Sequence, residues 1–173
     1  KSWMTRNRLL DISKSEPFYI RPEISKSDYQ CNIMNVELSQ NGNWQKKLLS
    51  QIQFYKNFEY YNEIRDLLID ILNQTNHLCD FNINSTIQIC KYLGINSEFG
   101  GTHYINAPGG EEFIFKNKFS DLGMELGFIQ PKLEHYNQNS KEFVIGLSIL
   151  DVLFCNGKEK TLEMIKKYEI KWV

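Results

Sequence analysis

HYINAPGGEEFIFKNKFSDLGMELGFI, residues His103–Ile129, is the stretch on which the fold reading turns. His103-Tyr104-Ile105 is predicted to be a strand, because aromatic and β-branched residues suit a pleated, half-buried surface. Asn106-Ala107-Pro108-Gly109-Gly110 then reads as a turn. Pro108 presets one dihedral, and the two glycines permit positive φ and close backbone approach. Glu111 to Leu122 is predicted to be helical and to end at Gly123, with Met124 to Ile129 as the next strand. Strand, loop, helix and strand in succession are the unit from which α/β sheets are built, the helix returning the chain so that strands pair in parallel.

The rest of the chain is read outward from this unit. Downstream, a short apolar helix opens at Ser148, and a charged helix from Lys158 to Tyr168 closes the chain. Upstream, Phe18-Tyr19-Ile20-Arg21-Pro22 reads as a strand stopped by proline. The alternation over Ile33–Leu38 predicts a second strand. Three helices follow. Asn43 caps the first, with Leu48, Ile52 and Tyr55 on one face; Asn57 caps the second, with Tyr61, Ile64, Leu68 and Ile71 on one stripe. The third begins between Asp80 and Asn84, buries Ile83, Ile87 and Cys90, and stops at Leu93-Gly94-Ile95, where Gly94 takes the left-handed conformation. The expected architecture is a single α/β domain over residues 1–173, with a mostly parallel sheet flanked by helices.

With 173 residues, 42% apolar and 24% charged, the chain can bury a substantial core. A net charge of −1 excludes the strong basic excess of a general nucleic-acid binder. Apolar runs such as Ile145–Phe154 are too short to span a bilayer. Cys31, Cys79, Cys90 and Cys155 form no CxxC pair and no metal-site spacing with histidine, so the thiols read as free, in a reducing cytoplasm. No metal site and no cofactor is implied. No signal peptide is visible, although the sequence starts at Lys1 rather than at Met.

Three segments could carry chemistry, and each has a plain structural reading beside it. Arg6 and Arg8, two apart on a strand, share a face and could clamp a phosphate or carboxylate, with Asn7 turned the other way; alternatively they are solvated arginines. Backbone N–H groups of Gly109 and Gly110 could hold an oxyanion at a helix start. Glu111 and Glu112 in the same turn would oppose one, and a tight turn explains the glycines equally. Ser148-Ile149-Leu150-Asp151 has the shape of a capping box; the functional alternative makes Asp151 a general base or a ligand to a sugar hydroxyl. Tyr136, Asn137 and Gln138 suit either a polar ligand or a surface loop. The aromatic residues Phe54, Tyr55, Phe58, Tyr60 and Tyr61 read as core packing, or as a partner surface if exposed.

Trp3 with Arg6-Asn7-Arg8, Trp44 with Tyr55, Asn82 with Leu93-Gly94-Ile95, Tyr104 with Gly109-Gly110, and the Leu147–Gly157 segment together resemble the WbqC-like family. Two departures accompany the resemblance. Family members usually open with a strand and an aromatic loop of the form QPNYxPWxGYF, which is not in this sequence. They also carry further residues where Phe99 here runs directly into Gly100. The expectation is therefore that an N-terminal strand–helix segment and a stretch near 99–100 are missing. The opening of full-length relatives resembles the first strand–loop–helix of nucleotide-binding domains, which adds a doubly wound, nucleotide-binding-like sheet to the expected fold.

The resemblance implies a cytoplasmic protein of bacterial surface-polysaccharide biosynthesis (O-antigen, lipopolysaccharide or capsule). Its most concrete form is a group transferase that modifies a nucleotide-activated sugar or amino sugar. Arg6, Asn7 and Arg8 would hold an anionic part of the substrate, Gly109 and Gly110 would support it, and Tyr136, Gln138, Ser148 and the catalytic candidate Asp151 would face the reacting part. The partner would be a nucleotide sugar or other anionic small molecule. The rival is a non-catalytic assembly factor for a sugar-modifying pathway enzyme, working through the aromatic helices of residues 43–73.

Overall fold

Leu9 and Leu10 are neighbours on one strand, and both are fully buried. Successive strand side chains point to opposite faces, so this strand is covered on both sides. The structure is a computed structural model that describes residues 7–25, 32–41, 43–73, 76–96, 102–114 and 116–173. In chain order its elements are β1 (Asn7–Asp11), β2 (Glu16–Ile20), α1 (Asn43–Gln51), α2 (Tyr61–Leu72), α3 (Leu78–Leu93), β3 (His103–Asn106), α4 (Lys116–Ser120), β4 (Glu125–Pro131), α5 (Ile149–Ile165) and β5 (Tyr168–Trp172), with 3-10 turns at Ile33–Asn35, Ile52–Tyr55 and Pro108–Phe113. The chain divides into two compact units. The first is Lys1–Ile95 with His135–Thr161, and the second is Asn96–Glu134 with Leu162–Val173. No helix among the described residues is long and apolar enough to cross a membrane.

In the first unit, β1 and β2 form an antiparallel hairpin in the register Asn7↔Ile20 to Asp11↔Glu16. The Asp11 carboxylate closes the turn by accepting from the Ser13 amide at 3.1 Å and the Ser13 hydroxyl at 2.6 Å. The strand expected over Ile33–Leu38 is instead a 3-10 turn followed by isolated bridges of Leu38 to Ile24 and of Glu37 to His77. The reason is local: the Asn32 side chain accepts from the Met34 amide at 3.2 Å, and such a cap competes with extended pairing.

The helices α1 and α2 bury the expected stripes, including Leu48, Tyr61, Ile64, Leu68 and Ile71. The third helix differs from expectation. It starts earlier, at Leu78, whose amide donates to the Val36 carbonyl at 2.8 Å. It buries its two ends, Leu78 and Leu93, while Ile83 and Ile87 on its middle turns are 52% and 39% exposed. Its stop is as read: Gly94 has φ +74°, and the Ile95 amide donates to the Cys90 carbonyl at 2.8 Å.

The second unit corrects the fold class. It has one parallel pair, β3 with β4, and β4 pairs on its other side with β5 in the antiparallel sense. The protein therefore carries a two-stranded antiparallel sheet and a three-stranded mixed sheet, not a mostly parallel, doubly wound one. Two local causes account for this. The helix expected over Glu111–Leu122 is only a 3-10 turn and the five-residue α4. The segment expected to end as helix at Tyr168 turns into β5 there. Gly127 on β4 admits this strand closely: a Cβ on it would lie 2.7 Å from Ile170 and 2.9 Å from Trp172.

Helix α5 is interrupted at Gly157, where φ is +69° and ψ is −174°. A Cβ on Gly157 would lie 2.5 Å from the Tyr60 ring. Gly157→Ala should therefore be destabilising through both left-handed strain and overpacking, by about 2–4 kcal/mol. Urea unfolding should show a lower midpoint at unchanged slope. A variant as stable as the parent would mean that Tyr60 does not pack against this kink.

Candidate functional site

Asp151 sits one turn into α5, fully buried. A capping box would have turned its carboxylate back to the helix start. Instead the Ser148 amide donates to the Arg8 carbonyl of β1 at 2.8 Å, and the Ser148 hydroxyl itself caps the helix by accepting from the Leu150 amide at 3.3 Å. The Asp151 carboxylate is left to point into the core. There the Tyr55 hydroxyl donates to Oδ1, and the Tyr136 hydroxyl donates to Oδ2 at 2.5 Å. The Tyr55 oxygen in turn accepts from the Leu10 amide of β1 at 2.8 Å. One carboxylate thus gathers β1, the turn after α1, the segment before α5, and α5 itself.

Burial raises the Asp151 carboxyl above the ordinary carboxylate range, and hydrogen bonds from Tyr136, Tyr55 and Gln138 pull against this without cancelling it. The same burial, followed by the charge of Asp151, pushes both tyrosine hydroxyls up, so neither is a ready base. Cys155, one turn further along α5, is raised for the same two reasons and is not an activated thiol. Among the described residues no three His, Cys, Asp or Glu gather as a metal centre would need.

The structure brings six of the residues singled out from the sequence into the first unit around the start of α5. Asn7 accepts from the Ser148 hydroxyl at 3.3 Å. Arg8 donates through Nη2 to the carbonyls of Ile145 and Gly146, which fixes the approach to Ser148, while its buried Nε has no partner among the described residues. Gln138 is buried and exchanges two hydrogen bonds with the Val144 backbone, both at 2.9 Å, closing the loop between them. Tyr136 is half-buried and packs edge-on against Phe143. Asn7 and Ser148 also line a small cavity of about 80 Å³ with Arg21, Pro22 and a largely apolar wall. Arg6 lies outside the described residues. Gly109 and Gly110 belong to the second unit, on the 3-10 turn Pro108–Phe113.

Sequence reasoning missed Tyr55 as a partner of Asp151, having read it as packing. Its signal was present, since a tyrosine on a buried stripe needs a partner for its hydroxyl. Tyr55 and Tyr61 are buried, and Tyr55 stacks on Phe154 of α5 at 4.6 Å, so these rings form core rather than a docking surface.

The model of the WbqC-like protein family matches residues 1–100 and 95–163, and the chain belongs to that family. No curated protein and no solved structure matches it.

Tyr55→Phe should cost about 2–3 kcal/mol, because it strands the Leu10 amide and one carboxylate oxygen in the interior. Chemical unfolding measures this; a loss under 0.5 kcal/mol, on the order of a neutral surface change, would contradict the assigned network. The pH dependence has a definite sign. An acid whose pKa is raised by folding binds its proton more tightly in the native state, so its contribution to stability falls as pH rises from the unfolded value of 3.8 through the raised one. The melting-temperature advantage of the parent over Asp151→Asn should be largest near pH 4 and shrink towards neutrality. An advantage that grows with pH would show a lowered pKa instead.

Proposed function

We propose that this protein acts in bacterial surface-polysaccharide biosynthesis as a group transferase on a nucleotide-activated sugar or amino sugar. Family membership supports the pathway. The observation that carries the site is the small cavity at the start of α5, whose polar lining is Asn7, Arg21, Ser85 and Ser148. Hydroxyl and amide groups of this kind read sugar hydroxyls.

In this reading Asn7, Ser148 and the half-buried Tyr136 meet the sugar. Asp151 has both oxygens occupied by tyrosine hydroxyls, so it acts through Tyr136 as a positioning residue. Arg8 holds the carbonyls of Ile145 and Gly146 and thereby sets where Ser148 stands. The assembly-factor alternative loses Tyr55 and Tyr61 to burial but keeps the exposed Phe54 on the same stretch.

The test is thermal stability against a panel of nucleotide sugars and free nucleotides, followed by mass analysis of any ligand incubated with acyl and amino donors. A ligand at about 100 times its Kd should add about 2.7 kcal/mol, a shift of several degrees for a chain of this size. Ser148→Ala should reduce the shift while lowering the unliganded melting temperature by only about 2–4 °C, the size expected for loss of a helix cap worth about 1 kcal/mol. A panel without any shift rejects the nucleotide-sugar reading. A shift without a change in ligand mass under every donor rejects transfer and leaves binding.

A further inference from the structure

A groove of about 570 Å³ opens beside the small cavity, lined by Tyr19, Arg21, Pro22, Glu23, Asn43, Trp44, Lys47 and Gln51. Its volume falls within the ≈ 300–1,000 Å³ of ordinary small-molecule sites. Arg21 and Pro22 line both spaces, so the groove and the cavity meet at this pair.

Two elements build it. Arg21 follows the buried Ile20 that ends β2 and precedes Pro22, which disfavours helical backbone at Arg21. On α1, Asn43, Lys47 and Gln51 recur every four residues and form one polar stripe. Trp44 beside them is buried, its indole Nε1 donating to the Ser39 carbonyl at 3.0 Å, so it forms a fixed floor. The first turn of α1 carries no acidic residue to offset its dipole. Arg21 and Lys47 are exposed, and neither has a hydrogen-bond or ion-pair partner among the described residues. The single opposing charge in the lining is Glu23.

We infer that this groove is a phosphoryl-binding subsite, in which Arg21 and Lys47 hold a phosphate or diphosphate from two sides while Asn43 and Gln51 contact the attached polar groups. Arginine offers a planar fork to phosphate oxygens and lysine a point charge, a pairing suited to a polyanion rather than to a neutral sugar. The anion chemistry rests on the groove alone; that the anion is the diphosphate of an activated sugar rests on the function proposed above. The shared Arg21–Pro22 wall would then hold the diphosphate in the groove with the sugar towards Asn7 and Ser148.

The experiment measures binding of inorganic diphosphate, of uridine diphosphate N-acetylglucosamine and of free N-acetylglucosamine by calorimetry, and locates each by backbone amide shifts. Diphosphate should bind with amide changes confined to residues 19–23 and 43–51, more weakly as salt is raised. Arg21→Ala and Lys47→Ala should each weaken it at least tenfold, and the double variant at least a hundredfold. Both side chains are exposed, so circular dichroism and the melting temperature should match the parent. Diphosphate that binds elsewhere, binds the double variant as well as the parent, or does not bind at 10 mM overturns the proposal. If diphosphate seats in the groove but no nucleotide sugar in the wider panel binds, the groove stands and the proposed function fails. If a nucleotide sugar binds the double variant unchanged, the function stands and the groove assignment fails.

Discussion

The Asp151 carboxylate lies in the interior with two tyrosine hydroxyls on it, and burial, Tyr136, Tyr55 and Gln138 are the influences that set its proton affinity. Removing a carboxylate from water costs several kcal/mol even after relaxation. Each hydrogen bond to a charged group recovers about 1.5–3 kcal/mol. Two such bonds therefore roughly offset the penalty, and the cluster adds little net stability. Its effect is geometric. Leu10, Tyr55, Tyr136 and Asp151 come from four separate parts of the chain, and all must reach one point for the charge to be tolerated.

That constraint extends to the polar wall of the cavity. Ser148 is three residues before Asp151, its amide is held by β1, and its approach is held by Arg8 on two carbonyls. A hydroxyl fixed by packing and backbone bonds loses little freedom when a ligand arrives, which is the condition for a preorganised site. Gln138 does the same for its own loop by bonding both ways to Val144, so it shapes that segment.

Much of this is legible in the sequence. Hydrophobic periodicity gave the buried faces of α1 and α2, and Leu93-Gly94-Ile95 gave the stop of α3, because these are local properties. The capping-box pattern of Ser148-Ile149-Leu150-Asp151 points to the wrong partner for the carboxylate. Whether a carboxylate caps its own helix or enters the core depends on residues nearly a hundred positions away, such as Tyr55. The sheet was misjudged for a comparable reason. Strand and helix alternation cannot say which strands pair, and a helix read over Glu111–Leu122 supplied a crossover the chain does not build. The missed β5 did carry a signal: Tyr168, Ile170 and Trp172 alternate with Glu169 and Lys171, a period of two that begins where the helix read over Lys158–Tyr168 was expected to end.

Spacing along the chain does not determine which cations are available to an anion. The spacing of Arg6 and Arg8 suggests a shared strand face; among the described residues Arg8 donates through Nη2 alone to two carbonyls, and its buried Nε has no partner. Arg21 has no spacing to recommend it, and its availability comes from position alone: it follows a buried strand end, precedes a proline, and lines the same groove as Lys47 of α1. The net charge of −1 does not oppose this. At physiological salt, fields decay over about 8 Å, so a bound anion senses the groove's two cations and one acid rather than the sum over the chain. What decides anion binding here is the local balance among Arg21, Lys47 and Glu23.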